Sequence, residues 1–159
     1  SDKPVVFRAA EQVNEFLPMS KRDVTRFEGV EEAWNRAFTK AGLSLDDLDF
    51  MEVHDCFTIA EIVASEDLGF FAPGEGPRAV DEGRTALDGD HPINTSGGLK
   101  AKGHPVGASG VGQVIEIYHQ LRGEAGERQV KKTAPTVGIT HNVGGTGGTC
   151  VVNVLRRES

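Results

Sequence analysis

The first candidate for chemistry is the stretch HDCF, which places a histidine and a cysteine two residues apart. His54 and Cys56 follow a short apolar run that predicts a strand, and alternate residues of a strand point to the same face. A nearby imidazolium favours the thiolate form of a cysteine, so this pair could serve as an acid–base pair. The spacing alone leaves a buried thiol beside a hydrogen-bonded histidine equally open.

The second candidate is the glycine-rich stretch GGLKAKGHPVGASG, which contains His104 and precedes a predicted helix. Glycines at such a place let the backbone approach a ligand and leave amide N–H groups free at the helix N-terminus. A tight turn with close packing of helix on sheet is the alternative interpretation. We exclude a phosphate-binding loop, because His104 and Pro105 occupy the places where a lysine and a serine or threonine are needed.

The third candidate is HNVGGTGG, between the last two predicted strands. Its glycines could offer backbone N–H groups as an oxyanion hole, although spacing alone favours an ordinary glycine-rich hairpin. His91 lies in an acidic loop and His119 lies off the apolar stripe of a helix, so we assign them no role. We expect no metal site, because structural zinc sites have closely paired cysteines and these are missing from the four residues that could combine: His54, Cys56, His104 and His141.

The elements that position the first candidate are predicted from hydrophobic periodicity. Residues 5–9 form a β-branched run that predicts a buried strand. Residues 30–41 carry one apolar stripe at helical spacing and end before Gly42, as helices commonly do. Residues 48–55 predict a second strand. Residues 56–70 predict a helix that is apolar on most sides and therefore largely covered.

The second half of the chain predicts the supports of the other two candidates. Residues 71–90 are rich in glycine, proline and acid and predict a long loop or lid, and residues 92–98 predict a short third strand. Residues 108–121 predict a helix, and residues 136–143 and 149–157 predict two strands joined by GGTGG. The stripe that defines this helix consists of five residues: Val111, Val114, Ile115, Tyr118 and Leu121.

This order of elements predicts an α/β fold. Alternating strands and helices indicate a mostly parallel, five-stranded mixed sheet with helices on both faces, in which the last strand returns antiparallel through a hairpin. Binding sites in such sheets lie where strands lead into helices. All three candidate stretches fall at such places.

The composition restricts the class of function. A net charge of −7 argues against a general affinity for nucleic acid or anionic membranes. No apolar run reaches the roughly 18–20 residues that span a bilayer, and the first residues lack the pattern of a signal peptide. Two cysteines do not make a disulfide framework. We therefore expect a cytoplasmic protein in a reducing compartment.

Taken together, the stretches resemble the C-terminal half of a thiolase, in the branch that contains the sterol-carrier-protein and lipid-transfer-protein thiolases. The matching segments are EVHDCFTIAEI, INTSGGLKAKGHPVGASG and HNVGGTGGTCVV, in the family's order. The segment RDVTRFEGVEEAWNRAFTKAGLSLDDLD also resembles the family. The resemblance implies that residues 1–159 form one thiolase C-terminal domain, with a coenzyme A thioester as substrate and no cofactor.

The resemblance also implies roles for individual residues. His104 activates the nucleophilic cysteine and donates a hydrogen bond to the thioester oxygen, which His54 also helps to bind. Cys56 moves the proton at the acyl α-carbon, because Asn142 stands where the wider family has a second catalytic cysteine. Asn142 is expected, with Gly144, to bind the substrate at an oxyanion. The backbone N–H of Gly144 faces the second oxyanion. Cys150 lies outside every motif and is expected to be structural.

One departure from the family is large. The family's covalent nucleophile lies in an N-terminal half of similar fold, and neither cysteine of this chain stands in a segment like the nucleophile's. We therefore expect this chain to act with such a half, in the same or a separate chain, to be homo-oligomeric when complete, and to be inactive alone. The alternatives are a lipid-transfer retro-aldolase acting on steroid side-chain acyl-CoA, and a non-catalytic thiolase-like module.

Overall fold

The computed structural model describes residues 3–158 and contains one sheet with helices against both of its faces. The strands are β1 (Val5–Asn14), β2 (Phe50–Glu52), β3 (Val137–Gly144) and β4 (Thr149–Arg157). The helices are α1 (Glu28–Ala41), α2 (Thr58–Asp67), α3 (Gly76–Asp81), α4 (Gly98–Lys102) and α5 (Ser109–Arg122). Short 3-10 turns occupy Met19–Lys21, Leu45–Asp47 and Gly126–Arg128.

The sheet has four strands in the order β1-β4-β3-β2. The antiparallel last strand is confirmed, since β4 pairs antiparallel with β3. The prediction of a mostly parallel, five-stranded sheet is wrong. The hairpin return places β4 in the middle of the sheet, where β1 also runs antiparallel to it, and only β2 and β3 are parallel.

The missing fifth strand was expected at residues 92–98, where the structure has a single bridge between Ile93 and Met51. The backbone of Asn94 then turns away with a φ of +52°. Its side-chain Oδ1 accepts the N–H of Val53 at 2.8 Å. An asparagine side chain therefore satisfies the N–H that a longer strand would have paired, and the ladder ends there.

Helix α1 forms as its stripe predicts and covers one face of the sheet. Trp34 stacks on Phe38 with ring centroids 3.9 Å apart, and the helix ends at Gly42 in the left-handed conformation. On β3, Ile139 belongs to the core on this side. Gly138 faces the other side, where an added Cβ would lie 2.9 Å from a methyl carbon of Ile117 in α5. Helices thus lie on both faces, as predicted.

Only part of the apolar stripe predicted for α5 faces the sheet. Val111 is 61% exposed and Ile115 is 51% exposed, whereas Leu121 is buried as expected. The buried face carries the polar residue Gln120, whose side chain accepts the N–H of Val130 at 2.9 Å and donates to a backbone carbonyl. This polar face can be buried because the segment after the helix satisfies its hydrogen bonds. Most of the apolar stripe is therefore left exposed to solvent.

Two further expectations are corrected. Helix α2 is not largely covered, because only Ala64 and Ser65 are fully buried and Ile59 is 60% exposed. The segment 71–90 contains α3 and hydrogen-bonded turns that pack beside α2, so it is not a continuous loop. None of the helices described between residues 3 and 158 is long and apolar enough to cross a membrane.

Candidate active site

Parallel pairing of β2 and β3 brings the candidate stretches to one edge of the sheet. Glu52 and Thr140 are paired in register, so the residues that follow β2 lie beside the end of β3. Helix α5 begins next to them with Ser109. His54, Cys56, His104, Asn142 and Gly144 all line one cavity of about 690 Å³. The five residues singled out from the sequence therefore meet at a single site.

His54 is buried and is held by the end of β3. Its Nδ1 lies 3.0 Å from Oδ1 of Asn142. Asn142 in turn donates from Nδ2 to Oε1 of Gln113, a residue of α5. Burial lowers the pKa of His54, and a charge on His104 lowers it further, against the opposing effects of Asn142 and Asp55. Burial thus favours the neutral imidazole.

His104 is exposed to the cavity and is held from the opposite side. Its Nδ1 lies 2.8 Å from the hydroxyl of Ser109, and that hydroxyl donates to the carbonyl of Pro105 at 3.3 Å. Either tautomer of His104 satisfies this contact, because a hydroxyl can both donate and accept, and Nε2 is left for the cavity. The His54 and His104 rings meet edge to face, with centroids 4.9 Å apart.

The carboxylate between the two site residues of HDCF supports the His104 loop. Asp55 is buried, and its Oδ1 accepts the N–H of Leu99 at 2.7 Å. A Cβ added to Gly98 would lie 2.3 Å from Oδ2 of Asp55, so the glycine is required for this contact. One side chain therefore ties the HDCF segment to the start of α4, which leads directly into His104.

Cys56 is a half-buried free thiol at the cavity wall. Gly144 lies at the end of β3 and is exposed, and the turn that follows it packs closely on the chain before α1. A Cβ added to Gly147 would lie 2.6 Å from the ring of Phe27. Apolar side chains form the rest of the wall: Val24, Phe27, Ile59, Val63 and Val106. The cavity thus combines a polar floor with an apolar side, and no residue of 71–90 lines it.

The remaining cysteine and the second buried histidine lie outside the cavity. Cys150 is buried in β4, and burial raises the pKa of its thiol to about 12. His141 is almost fully buried, and neither ring nitrogen has a hydrogen-bond partner within residues 3–158. Burial lowers the pKa of His141 to about 3. Within the same residues, no group of three or more histidine, cysteine or acidic side chains is placed to hold a metal ion.

Sequence reasoning missed Ser109, Gln113 and Asp55. Ser109 and Asp55 lie inside the stretches already quoted, in which only the neighbouring histidines and cysteine were identified as candidates. Gln113 gave no signal, because a glutamine in a helix usually faces solvent, whereas here it is 2% exposed.

Comparison with known proteins identifies the family that this chain matches. The model of the thiolase C-terminal domain-like family matches residues 10–157. Acetyl-CoA acetyltransferase of Methanothermobacter thermautotrophicus is 49% identical over 158 residues, which cover 99% of this chain and 41% of that protein. Sterol carrier protein 2 of Oryctolagus cuniculus is 41% identical over 158 residues, which cover 97% of this chain and 28% of that protein. The chain thus spans less than half the length of these relatives.

A solved structure has the same fold. The protein described as "Ltp2-ChsH2(DUF35) aldolase" superposes with a TM-score of 0.83, over 97% of this chain and 40% of that chain, at 23% sequence identity. A likeness at this identity establishes the shared fold only.

Proposed function

The chain belongs to the thiolase C-terminal domain-like family, and from this premise we propose that it is the C-terminal catalytic half of a thiolase. The reaction is acyl transfer on a coenzyme A thioester, either thiolytic cleavage of a 3-ketoacyl-CoA or the reverse Claisen condensation. The observation that carries the proposal is the meeting of two imidazoles, one free thiol and the Gly144 backbone in one cavity. No cofactor takes part.

In this proposal Cys56 moves the proton at the α-carbon. During cleavage, the bond between the α-carbon and the 3-keto carbon breaks, and its electron pair stays on the α-carbon as an enolate. The Cys56 thiol then gives a proton to that carbon. During condensation, the Cys56 thiolate removes the same proton. A thiol beside an imidazole suits such a transfer near neutral pH.

The two imidazoles and Gly144 stabilise the charged oxygens. His104, with Nδ1 held by Ser109, takes the proton of the nucleophilic cysteine at Nε2. His54, with Nδ1 held by Asn142, takes the Cys56 proton at Nε2 before condensation and returns it to the Cys56 thiolate at the end of cleavage. While His54 is charged, its Nε2–H donates a hydrogen bond to the thioester oxygen. The N–H of Gly144 donates to the oxyanion at the 3-keto carbon. Asn142 thus orients His54 in place of acting on the substrate.

The nucleophile comes from an N-terminal half, in the same or a separate chain. The chain corresponds to 41% of the acetyltransferase that it resembles, which leaves room for such a half. Its docking surface is the exposed apolar face of α5, formed by Val111, Ile115 and Tyr118, together with Val106 just before the helix. The assembled enzyme is homo-oligomeric and cytoplasmic in this proposal, since the free thiols Cys56 and Cys150 suit a reducing compartment.

The second candidate is a retro-aldolase acting on a steroid side-chain acyl-CoA. The structural neighbour is named as an aldolase, which favours this candidate. Retention of His54, Cys56 and His104 in one cavity favours the thiolase, and the single tyrosine, Tyr118, does not line that cavity. A non-catalytic module is the third candidate, and detectable thioester turnover by the assembled enzyme would eliminate it.

The test is cleavage of acetoacetyl-CoA by the assembled enzyme, meaning this chain together with its N-terminal half. We expect Cys56→Ala and His104→Ala each to lower kcat at least about a hundredfold, because each removes a proton-transfer group. Cys150→Ala is the matched control, because it removes the thiol outside the cavity and should leave the rate per folded molecule unchanged. Rates near wild type in both site variants would refute the assigned roles.

A further inference from the structure

Gln113 is a buried glutamine of α5 whose orientation the backbone determines. Its Nε2 lies 3.3 Å from the carbonyl oxygen of His141. A backbone carbonyl can only accept a hydrogen bond, so the amide nitrogen of Gln113 must face it. Oε1 of Gln113 therefore faces the other way, toward Asn142.

The same reasoning applies in turn to Gln113, Asn142 and His54. Oε1 of Gln113 can only accept, so Asn142 presents Nδ2 to it. Oδ1 of Asn142 then points at Nδ1 of His54, 3.0 Å away, and it too can only accept. The hydrogen of a neutral His54 ring must therefore be on Nδ1. Its Nε2 carries the lone pair and makes no hydrogen bond within residues 3–158.

We propose that Gln113 is a positioning residue, which fixes the Nδ1–H tautomer of His54 through Asn142 and so sets the direction of proton transfer. The inference rests on the proposed function, in which Cys56 supplies the proton. In the step that precedes condensation, the Sγ–H bond of Cys56 breaks, its electron pair stays on sulfur as a thiolate, and a new N–H bond forms at Nε2 of His54. Cleavage ends with the reverse of this step, which returns the proton to the Cys56 thiolate. The opposite tautomer would carry its hydrogen on Nε2, which could not then accept that proton.

The experiment compares three variants of the assembled enzyme. Gln113→Met keeps the length of the side chain but removes both amide groups, so Asn142 is free to rotate its amide. Gln113→Glu keeps an acceptor for Asn142 and serves as the conservative rescue. Gln120→Met is the matched control, because Gln120 is a fully buried glutamine of the same helix whose hydrogen bonds lie outside the cavity.

The direct readout is the tautomer of His54, measured by NMR of ¹⁵N-histidine-labelled enzyme with the signal assigned through His54→Gln. We expect wild type, Gln113→Glu and Gln120→Met to carry the hydrogen on Nδ1, and Gln113→Met to shift toward Nε2. In the same Gln113→Met enzyme, kcat for acetoacetyl-CoA cleavage should fall about ten- to a hundredfold with KM changed less than about twofold. Gln113→Glu should retain at least about a third of the wild-type kcat.

Three results would overturn the inference: a wild-type His54 with its hydrogen on Nε2, an unchanged tautomer in Gln113→Met, or a shifted tautomer with wild-type kcat. A fall in kcat of similar size in Gln120→Met would also overturn it, because the effect would then come from general loosening of α5. If the wild-type enzyme cleaves no thioester, the proposed function fails. The NMR result then still decides whether Gln113 sets the tautomer.

Discussion

Two imidazoles face each other in the candidate site, and each is anchored by a different neighbour. His54 is held by Asn142 at the end of β3, and His104 is held by Ser109 at the start of α5. Both contacts use Nδ1, so the two Nε2 atoms are the groups left for substrate. Burial lowers the pKa of His54, and a charge on His104, whose ring centroid lies 4.9 Å away, lowers it further.

A third histidine has no such use, and its removal should stabilise the protein. Both ring nitrogens of His141 are buried without a hydrogen-bond partner within residues 3–158, and unsatisfied buried polar groups cost about 1–3 kcal/mol. We expect His141→Leu to raise the free energy of unfolding by about 1 kcal/mol or more at pH 7.5. Urea denaturation followed by the fluorescence of Trp34, the single tryptophan, measures this change.

The gain from His141→Leu should grow in acid. The pKa of His141 is lowered to about 3 in the folded protein, whereas an unfolded histidine titrates near 6.5. Between these values the unfolded chain binds a proton that the folded protein does not, so wild-type stability falls as pH drops below 6.5. At pH 5.0 the extra gain should be about 2 kcal/mol. Asp67, whose pKa is raised to about 6, acts in the opposite direction in both proteins, so it cancels in the comparison. An equal gain at both pH values would contradict the argument.

The residues of the site could be found from sequence, but their partners could not. His54, Cys56 and His104 stand in short stretches whose composition is unusual, and the confirmed family resemblance rests on those stretches. Gln113 lies in the second turn of a helix, with no distinctive neighbour. Its importance comes from a contact with β3, 29 residues further along the chain, and sequence periodicity carries no information on such a contact.

At the scale of elements, the short helix α4 is capped by a side chain from another segment of the chain. Its N-cap, Gly97, has no side chain, and Asp55 caps it instead by accepting the N–H of Leu99. We expect Asp55→Ala to loosen the approach to His104 and to lower kcat of the assembled enzyme about tenfold, since small displacements of catalytic groups are costly. Asp55→Asn keeps an acceptor and should lose less.

The control for Asp55 is a carboxylate of the same kind at the other end of β2. Asp49 accepts the N–H groups of Thr136 and Val137 at 2.7 and 3.0 Å, far from the cavity edge. Asp49→Ala should therefore cost about 1–2 kcal/mol of stability and leave kcat per folded molecule unchanged. Equal losses of kcat in both variants would mean that Asp55 contributes stability only.

The elements also mark the limit of hydrophobic patterning. The stripe of α1 predicted its buried face, because that helix packs on a sheet with apolar side chains alone. In α5 the same rule fails, because Gln113 and Gln120 are buried through hydrogen bonds to β3 and to the segment after the helix. Periodicity shows which face of a helix is apolar. It does not show whether that face packs on the sheet of the same chain or on a second protein. The apolar stripe of α5 therefore predicts a packing surface, but this surface is not the one that α5 buries within this chain.

At the scale of the whole molecule, one face is open. Helix α5 packs mainly on β3, and beside it the β1 and β4 part of the same sheet face borders a groove lined by Phe7 and Val151. Phe7 is 57% exposed, and it lies across the groove from Val111 and Val114. Exposed apolar surfaces of this kind mark interaction sites. The candidate cavity opens beside this face at Val106, which lines both the cavity and the groove.

A charge placed on the open face should separate the chain from its N-terminal half. Ile115 is 51% exposed in this chain, so Ile115→Glu should leave the fold intact while it places an unpaired carboxylate in the proposed interface, which costs several kcal/mol. We expect the variant to lose co-purification with a separately expressed N-terminal half by at least about tenfold, and to lose acetoacetyl-CoA cleavage in the same proportion. Val80→Glu is the matched control, because Val80 is 44% exposed on α3, away from the groove. Circular dichroism of each variant alone checks that the fold is retained. If Ile115→Glu assembles as well as Val80→Glu, the open face of α5 is not the surface that completes the site.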